Sequence, residues 1–349
     1  MKRHRAASMA VVLLGLTLAS SVVFTQGGAS PSPSQDSPGA TSASQFWVAK
    51  SRGGVYVPPN RPLTRLSDLK AKHAGQTTWS ELVVKDLEMQ AEYHSAAPGT
   101  QISKRMHPDT AEFWVVVAGE MRFDIQGQAP VAATRGSIVN VPKGIVFAYE
   151  VTGNQPALFL EMNPINFQTL YPAEGPAPAT APGLDTFKVS FSVRPGSYTQ
   201  PNMPHWNLFE AVRTGGPGGA KVLWDHLFAN PIFGYADPND PANPNRGDAA
   251  SAGRGGAGGR GAAGGRGNDG AFNPKSVFGH LHAGPAEWWI VQSGRIRGRF
   301  ENSGEFIAGE GDVLYAPPFT WHQMGFDGPG LSCRLAIGAY SLINMNPVQ

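Results

Sequence analysis

Residues 106–112 read Met-His-Pro-Asp-Thr-Ala-Glu, and residues 281–287 read Leu-His-Ala-Gly-Pro-Ala-Glu. Laid one over the other, they set His107 against His282 and Glu112 against Glu287, each pair 175 positions apart. The same offset carries Gly119 onto Gly294, Gly136 onto Gly311 and Pro142 onto Pro317. A spacing held over roughly 40 residues marks two copies of one structural unit. Each copy has a strand near its glutamate, six residues to a turn glycine, a further pair of strands, then Gly, five residues and Pro. That is an antiparallel meander with punctuated turns. A double-sheet jelly roll is the natural way for it to bury its alternating faces.

The flanking sequence agrees with this frame. Apolar runs such as Phe113–Val117, Ser137–Val141 and Ala157–Leu160 are bounded by turn residues and suit buried strands. The 349 residues include 43 Gly and 30 Pro, which disfavours a helical protein. Only Leu63–His73 reads as a helix, and a short one. The expected fold is all-β: two tandem jelly-roll barrels with a short N-terminal helix and a Gly-rich flexible loop. The first barrel is expected over 63–172, a Pro/Ala-rich linker over 173–186 and the second barrel over 187–349, interrupted by a Gly/Arg-rich loop at 247–270.

Ahead of the barrels, Met1–Arg5 is basic, Met9–Phe24 is mostly apolar, and Ser, Thr, Gly and Pro dominate from Thr25 to Ser44. This is the order of a secretory signal peptide, placed at 1–29 with a low-complexity spacer over 30–62. An uncleaved anchor is the alternative, although the run falls short of the ~20 apolar residues of a span. The mature chain is therefore expected to be exported, periplasmic or extracellular, and free of the membrane. Lys2, Arg3 and Arg5 account for three positive charges, so a formal +2 becomes −1 without them. A near-neutral body lacks the footprint of a nucleic-acid binder. The single cysteine, Cys333, excludes an intrachain disulfide and a thiolate zinc cluster. Gly253, Gly255 and Gly258 fit a dinucleotide-loop pattern only because the stretch is glycine-rich, and no apolar strand precedes it. The loop reads as a flexible linker, or as a flap over the motif that follows.

That motif carries the chemistry. His280 and His282 are one residue apart, so on a strand both imidazoles take one face. Glu287 returns after a short turn, and His322 lies 35 residues on. Three imidazoles and one carboxylate suit a single divalent transition metal, Fe, Mn, Cu, Ni or Zn, with positions open to a small molecule. Alternation puts Phe278 and Trp289 on the same face, and His322 brings Met324, giving an aromatic-walled substrate pocket; core packing is the plainer reading of these three.

The second unit resembles a cupin, whose motifs run G-x5-H-x-H-x3–4-E-x6-G and G-x5-P-x-G-x2-H-x3-N. His280, His282, Glu287, Gly294, Gly311, Pro317 and His322 stand at family spacing, while Pro274, Phe319 and Phe326 depart from it. The resemblance implies a metal bound by His280, His282, Glu287 and His322. The first unit keeps His107 and Glu112 but has Arg105 and Phe147 at the other two ligand positions. Arginine has no lone pair to offer, so two barrels are expected to share one metal site, with the Arg105 guanidinium balancing Glu112. The implied activity is a dioxygenase-like oxygenase of a small, phenolic molecule, with Glu287 doubling as proton acceptor. A decarboxylase, lyase or isomerase of the oxalate-decarboxylase type is the alternative enzyme, its lid acid sought in Asp269. A non-catalytic small-molecule or sugar binder is the third reading. Fusion of two units suits a monomer or a small homo-oligomer.

Overall fold

Strand alternation is plainest in Glu120–Ile125, where Met121, Phe123 and Ile125 are buried and the residues between them are exposed. The computed structural model describes residues 47–190, 192–198, 203–213, 222–224, 227–237, 279–339 and 345. The leader over 1–29, the spacer as far as residue 46, the loop over 247–270 with Asp269, and Phe278 lie outside them. The chain opens with Leu63–Thr64 (β1) and the helix Leu66–Lys72 (α1). Eight strands follow: Trp79–Lys85 (β2), Met89–Ala96 (β3), Glu112–Ala118 (β4), Glu120–Ile125 (β5), Val131–Thr134 (β6), Ser137–Val141 (β7), Phe147–Thr152 (β8) and Ala157–Pro164 (β9). The second half repeats the series with His205–Asn207 (β10) and the helix Leu208–Arg213 (α2). Its eight strands are Val222–Trp224 (β11), Leu227–Tyr235 (β12), Glu287–Ser293 (β13), Arg295–Phe300 (β14), Gly304–Ala308 (β15), Val313–Ala316 (β16), His322–Asp327 (β17) and Leu331–Ala339 (β18).

Each half makes a six-stranded and a three-stranded antiparallel sheet. The N-terminal barrel has the order β10-β7-β4-β9-β3-β2 over β6-β5-β8, and the C-terminal barrel β1-β16-β13-β18-β12-β11 over β15-β14-β17. The leading strand of each half thus completes the other half's sheet. Leu63 and Thr64 pair with Leu314 and Val313, while His205–Asn207 pair with Ser137–Val139. The helix expected over Leu63–His73 begins three residues later for this reason. Its first turn carries Asp68 and its last Lys70 and Lys72, which complements the helix dipole.

The long apolar runs are explained by burial on both faces. In β4, Trp114 and Val116 fill the N-terminal barrel, and Phe113, Val115 and Val117 face a core shared with the other half. In β13, Trp289 and Val291 fill the C-terminal barrel, and Trp288 and Ile290 face the shared core. Across that core, the Tyr93 hydroxyl donates to the Gly311 carbonyl (2.8 Å) and Trp288 Nε1–H to Met89 Sδ (3.2 Å).

The halves are related by a local two-fold. Arg135 and Glu310, 175 positions apart, pair with one another at 2.6 and 2.7 Å. Gly136 and Gly311 hold φ of 85° and 80°, and a side chain there would strike Phe209 and Leu66, residues of the exchanged helices. Close approach and left-handed backbone together require glycine at both places.

Candidate metal centre in the C-terminal barrel

The ligand candidates of the second half are fixed by backbone before side chains enter. His280 and His322 exchange both backbone hydrogen bonds, at 3.0 and 2.9 Å. His282 is tied to the neighbouring turn, its carbonyl accepting from Phe319 N–H at 2.7 Å. Glu287 opens β13 opposite Ala316 and Gly338, and His322 opens β17. Side chains from two stretches, 280–287 and His322 35 positions on, therefore meet at one end of one barrel.

They converge on a single atom. His282 Nε2 lies 2.9 Å, His322 Nε2 3.1 Å and His280 Nε2 3.8 Å from Glu287 Oε2. The four donor atoms all lie within 4.8 Å of one another, and no other such group of three or more occurs among the described residues. His282, Glu287 and His322 are buried, and His280 keeps about a quarter of its side chain exposed, so the group opens on that side.

The donor set fits a cation. His322 Nδ1 sits 2.9 Å from the Thr320 carbonyl, which can only accept, so Nδ1 carries a hydrogen and Nε2 is the nitrogen turned toward Glu287. Burial, with His322 adding to it, drives His280 down to about 4, so this imidazole is neutral at pH 7. Burial alone would raise the Glu287 carboxyl, but hydrogen bonds from the three imidazoles outweigh it and hold the group well below its ordinary value. A neutral His280 beside a carboxylate held in its charged form is the protonation state that a metal requires.

The N-terminal barrel puts different chemistry on the same backbone. Arg105 and Phe147 form the bridge that His280 and His322 form in the other half. Arg105 Nη2 donates to Glu112 Oε1 and to Glu161 Oε1, both at 3.1 Å, as its guanidinium lies 5.4 Å over the Phe147 ring. His107 Nδ1 faces the Gln168 carbonyl at 2.8 Å and its Nε2 faces Glu112 Oε2 at 2.7 Å, so one proton lies between His107 and Glu112. Burial, reinforced by Glu161, pushes Glu112 up to about 7. Burial also raises Glu161, but Arg105, His94 and the hydrogen bonds with Glu112 and Trp114 together outweigh it and leave the group below its ordinary value. Asn163 Nδ2 donates to Glu112 at 3.2 Å and Trp114 Nε1 to Glu161 at 2.9 Å. Both carboxylates are held by these donors and the charges balance within the group. Glu161 and Asn163 are the members that motif reading missed. The available signal was a glutamate and an asparagine in the otherwise apolar run Ala157–Pro164.

Of the expected pocket residues, Trp289 lies inside the C-terminal barrel with its ring 5.1 Å from that of His322, and Met324 packs half-buried against the same core. The departure at Phe319 leaves the turn intact. Phe319 holds φ 59°, matching φ 73° at Gly144, and both donate 2.7 Å hydrogen bonds to the carbonyl of the equivalent histidine. Phe326, at the family's asparagine position, packs against the barrel core beneath the Arg334 guanidinium.

Two jelly rolls sharing one core, with a three-histidine, one-glutamate group in one of them, define a two-barrel protein with a single candidate metal centre among the described residues. The sequence profile described as Cupin domain matches residues 93–163 and 271–338, one span per barrel, and the chain is a two-domain cupin. No curated protein sequence matches it significantly. Among solved structures, a mutant salicylate 1,2-dioxygenase from Pseudoaminobacter salicylatoxidans in complex with gentisate is similar, with a TM-score of 0.51 at 10% identity over 82% of this chain and 86% of that one. A mutant oxalate decarboxylase from B. subtilis gives 0.46 at 13% identity over 85% and 81%. At such identities the likeness is one of fold.

Proposed function

We propose that this protein is an exported, metal-dependent oxygenase of small phenolic molecules, working at His280, His282, Glu287 and His322. The observation that carries the reading is the convergence of three imidazoles on one buried carboxylate oxygen beside an aromatic wall. A first-row ion held there supplies Lewis acidity and, where redox-active, the electron chemistry that O2 requires. The protein supplies the rest. Reciprocal backbone bonds between His280 and His322, and the Thr320 carbonyl on His322 Nδ1, keep the donor geometry rigid. Trp289 and Met324 offer the ring of a phenol a flat, largely dry surface. The imidazoles gather on Glu287 Oε2, which leaves Oε1 to act as acceptor of a phenolic proton in this reading. The basic-apolar-small order of residues 1–29 supports export.

The test is simultaneous measurement of O2 uptake and CO2 release by the metal-loaded protein with a phenol panel and with oxalate. O2 consumption with a phenol supports the oxygenase. CO2 release without net O2 use establishes the decarboxylase in its place. Melting shifts without turnover reduce the protein to a binder.

A further inference from the structure

One layer below the buried glutamate, the two barrels are furnished differently. In the N-terminal barrel, register aligns Glu92, Glu161, Trp114 and Val139 across β3, β9, β4 and β7. In the C-terminal barrel the corresponding row is Asn230, Ala336, Trp289 and Leu314 across β12, β18, β13 and β16. This row faces the barrel interior. Trp289, Leu314 and Ala336 belong to its core, as does Ile232 two residues along from Asn230, whereas Ala229 faces the shared core behind.

Partnered residues on adjacent antiparallel strands project side by side, so only the Ala336 methyl stands between Asn230 and Trp289. In the layer above, Gly338 lies beside Glu287 and offers no side chain. The N-terminal barrel fills both places, with Glu161 and Asn163. Asn230 is 4% exposed, and its Oδ1 has no hydrogen-bond partner among the described residues. An interior amide oxygen without a donor is costly, and an apolar residue would serve packing better.

We infer that Asn230 Oδ1 accepts a hydrogen bond from the substrate, on the side of the molecule away from the oxygen that meets the metal donors, in the space that Ala336 and Gly338 leave. The inference rests on the proposed function for the metal-facing end and adds a chemical demand at the other. A hydroxyl or amino group satisfies the amide oxygen there, and an ether or halide leaves it bare. Asn230 is thus a specificity residue that selects for a second hydrogen-bond donor.

Hydroquinone and 4-methoxyphenol share a ring and one hydroxyl and differ in whether the far group donates. Calorimetric titration of both into the metal-loaded full-length protein, without O2, reads the contact independently of turnover. Wild type is expected to bind hydroquinone about tenfold tighter. In Asn230→Ala the ratio falls to about one, with metal content and 4-methoxyphenol affinity unchanged. The ligand-free melting midpoint of this variant does not fall, because no internal partner is lost. Asn230→Leu, similar in size and unable to accept, gives the same readout should the alanine variant not fold. A wild type that binds neither probe or both equally overturns the inference, as does a variant that keeps the ratio or melts lower. If no phenol drives O2 uptake yet the tenfold ratio appears and vanishes in Asn230→Ala, the oxygenase reading falls and the subsite stands.

Discussion

The two barrels bury the same glutamate on the same backbone and neutralise it in opposite ways. Arg105–Phe147 and His280–His322 make the same bridge, and the turns at Gly144 and Phe319 make the same hydrogen bond. The N-terminal barrel closes its charges internally, with Arg105 between Glu112 and Glu161 and Asn163 and Trp114 holding the carboxylates. The C-terminal barrel turns three imidazoles toward its glutamate and has Ala336 and Gly338 where its twin has Glu161 and Asn163. Doing without the four-donor set therefore takes more than changing ligands. A buried carboxylate stripped of its cation needs another positive partner, and the guanidinium that fills the role draws in a second carboxylate. The barrel that gathers imidazoles on its glutamate has only small residues, Ala336 and Gly338, at those two places.

The largest expected effect breaks the C-terminal side. Glu287→Ala removes the atom on which the imidazoles converge, and metal affinity falls by more than the about 100-fold seen when merely supporting residues are lost; dialysis against a graded chelator measures it. The converse change tests whether the frame is still competent. Arg105→His with Phe147→His rebuilds the four-donor set around His107 and Glu112, and titration is expected to find a second ion per chain.

On the N-terminal side, Arg105→Ala leaves Glu112 and Glu161 without their cation. Breaking a buried pair costs about 3–5 kcal/mol; partial exposure of Arg105 places the loss near 3, read from urea unfolding monitored by tryptophan fluorescence. The turn pair gives a smaller effect. Phe319→Gly relieves a left-handed backbone that costs an L-residue about 1–2 kcal/mol, so the melting midpoint rises, while Gly144→Ala lowers it. Smallest is the pair on the local two-fold: Arg135→Glu facing Glu310 loses no more than about 1 kcal/mol, because both side chains are largely exposed. Adding Glu310→Arg recovers it.

Much of this comparison was legible in the sequence because the 175-residue offset survives in turn glycines, a proline and the ligand positions, which tolerate little change. The donor set was readable from His280, His282, Glu287 and His322 alone, and so was its failure at Arg105 and Phe147. The strand exchange was not, since Leu63–Thr64 and His205–Asn207 are too short to carry a period. Glu161, Asn163 and Asn230 escaped for a different reason. Each is a polar residue inside an apolar strand, and only the register across neighbouring strands shows what it faces. Phe319 departs from the family pattern, and the backbone accommodates it by holding a glycine-like φ.

Elemental analysis of the full-length protein purified without added metal, with His282→Ala beside it, bears most directly on the division of labour between the barrels. The account predicts one transition-metal ion per wild-type chain and essentially none in the variant. Two ions per chain, or a single ion that survives His282→Ala, would contradict it.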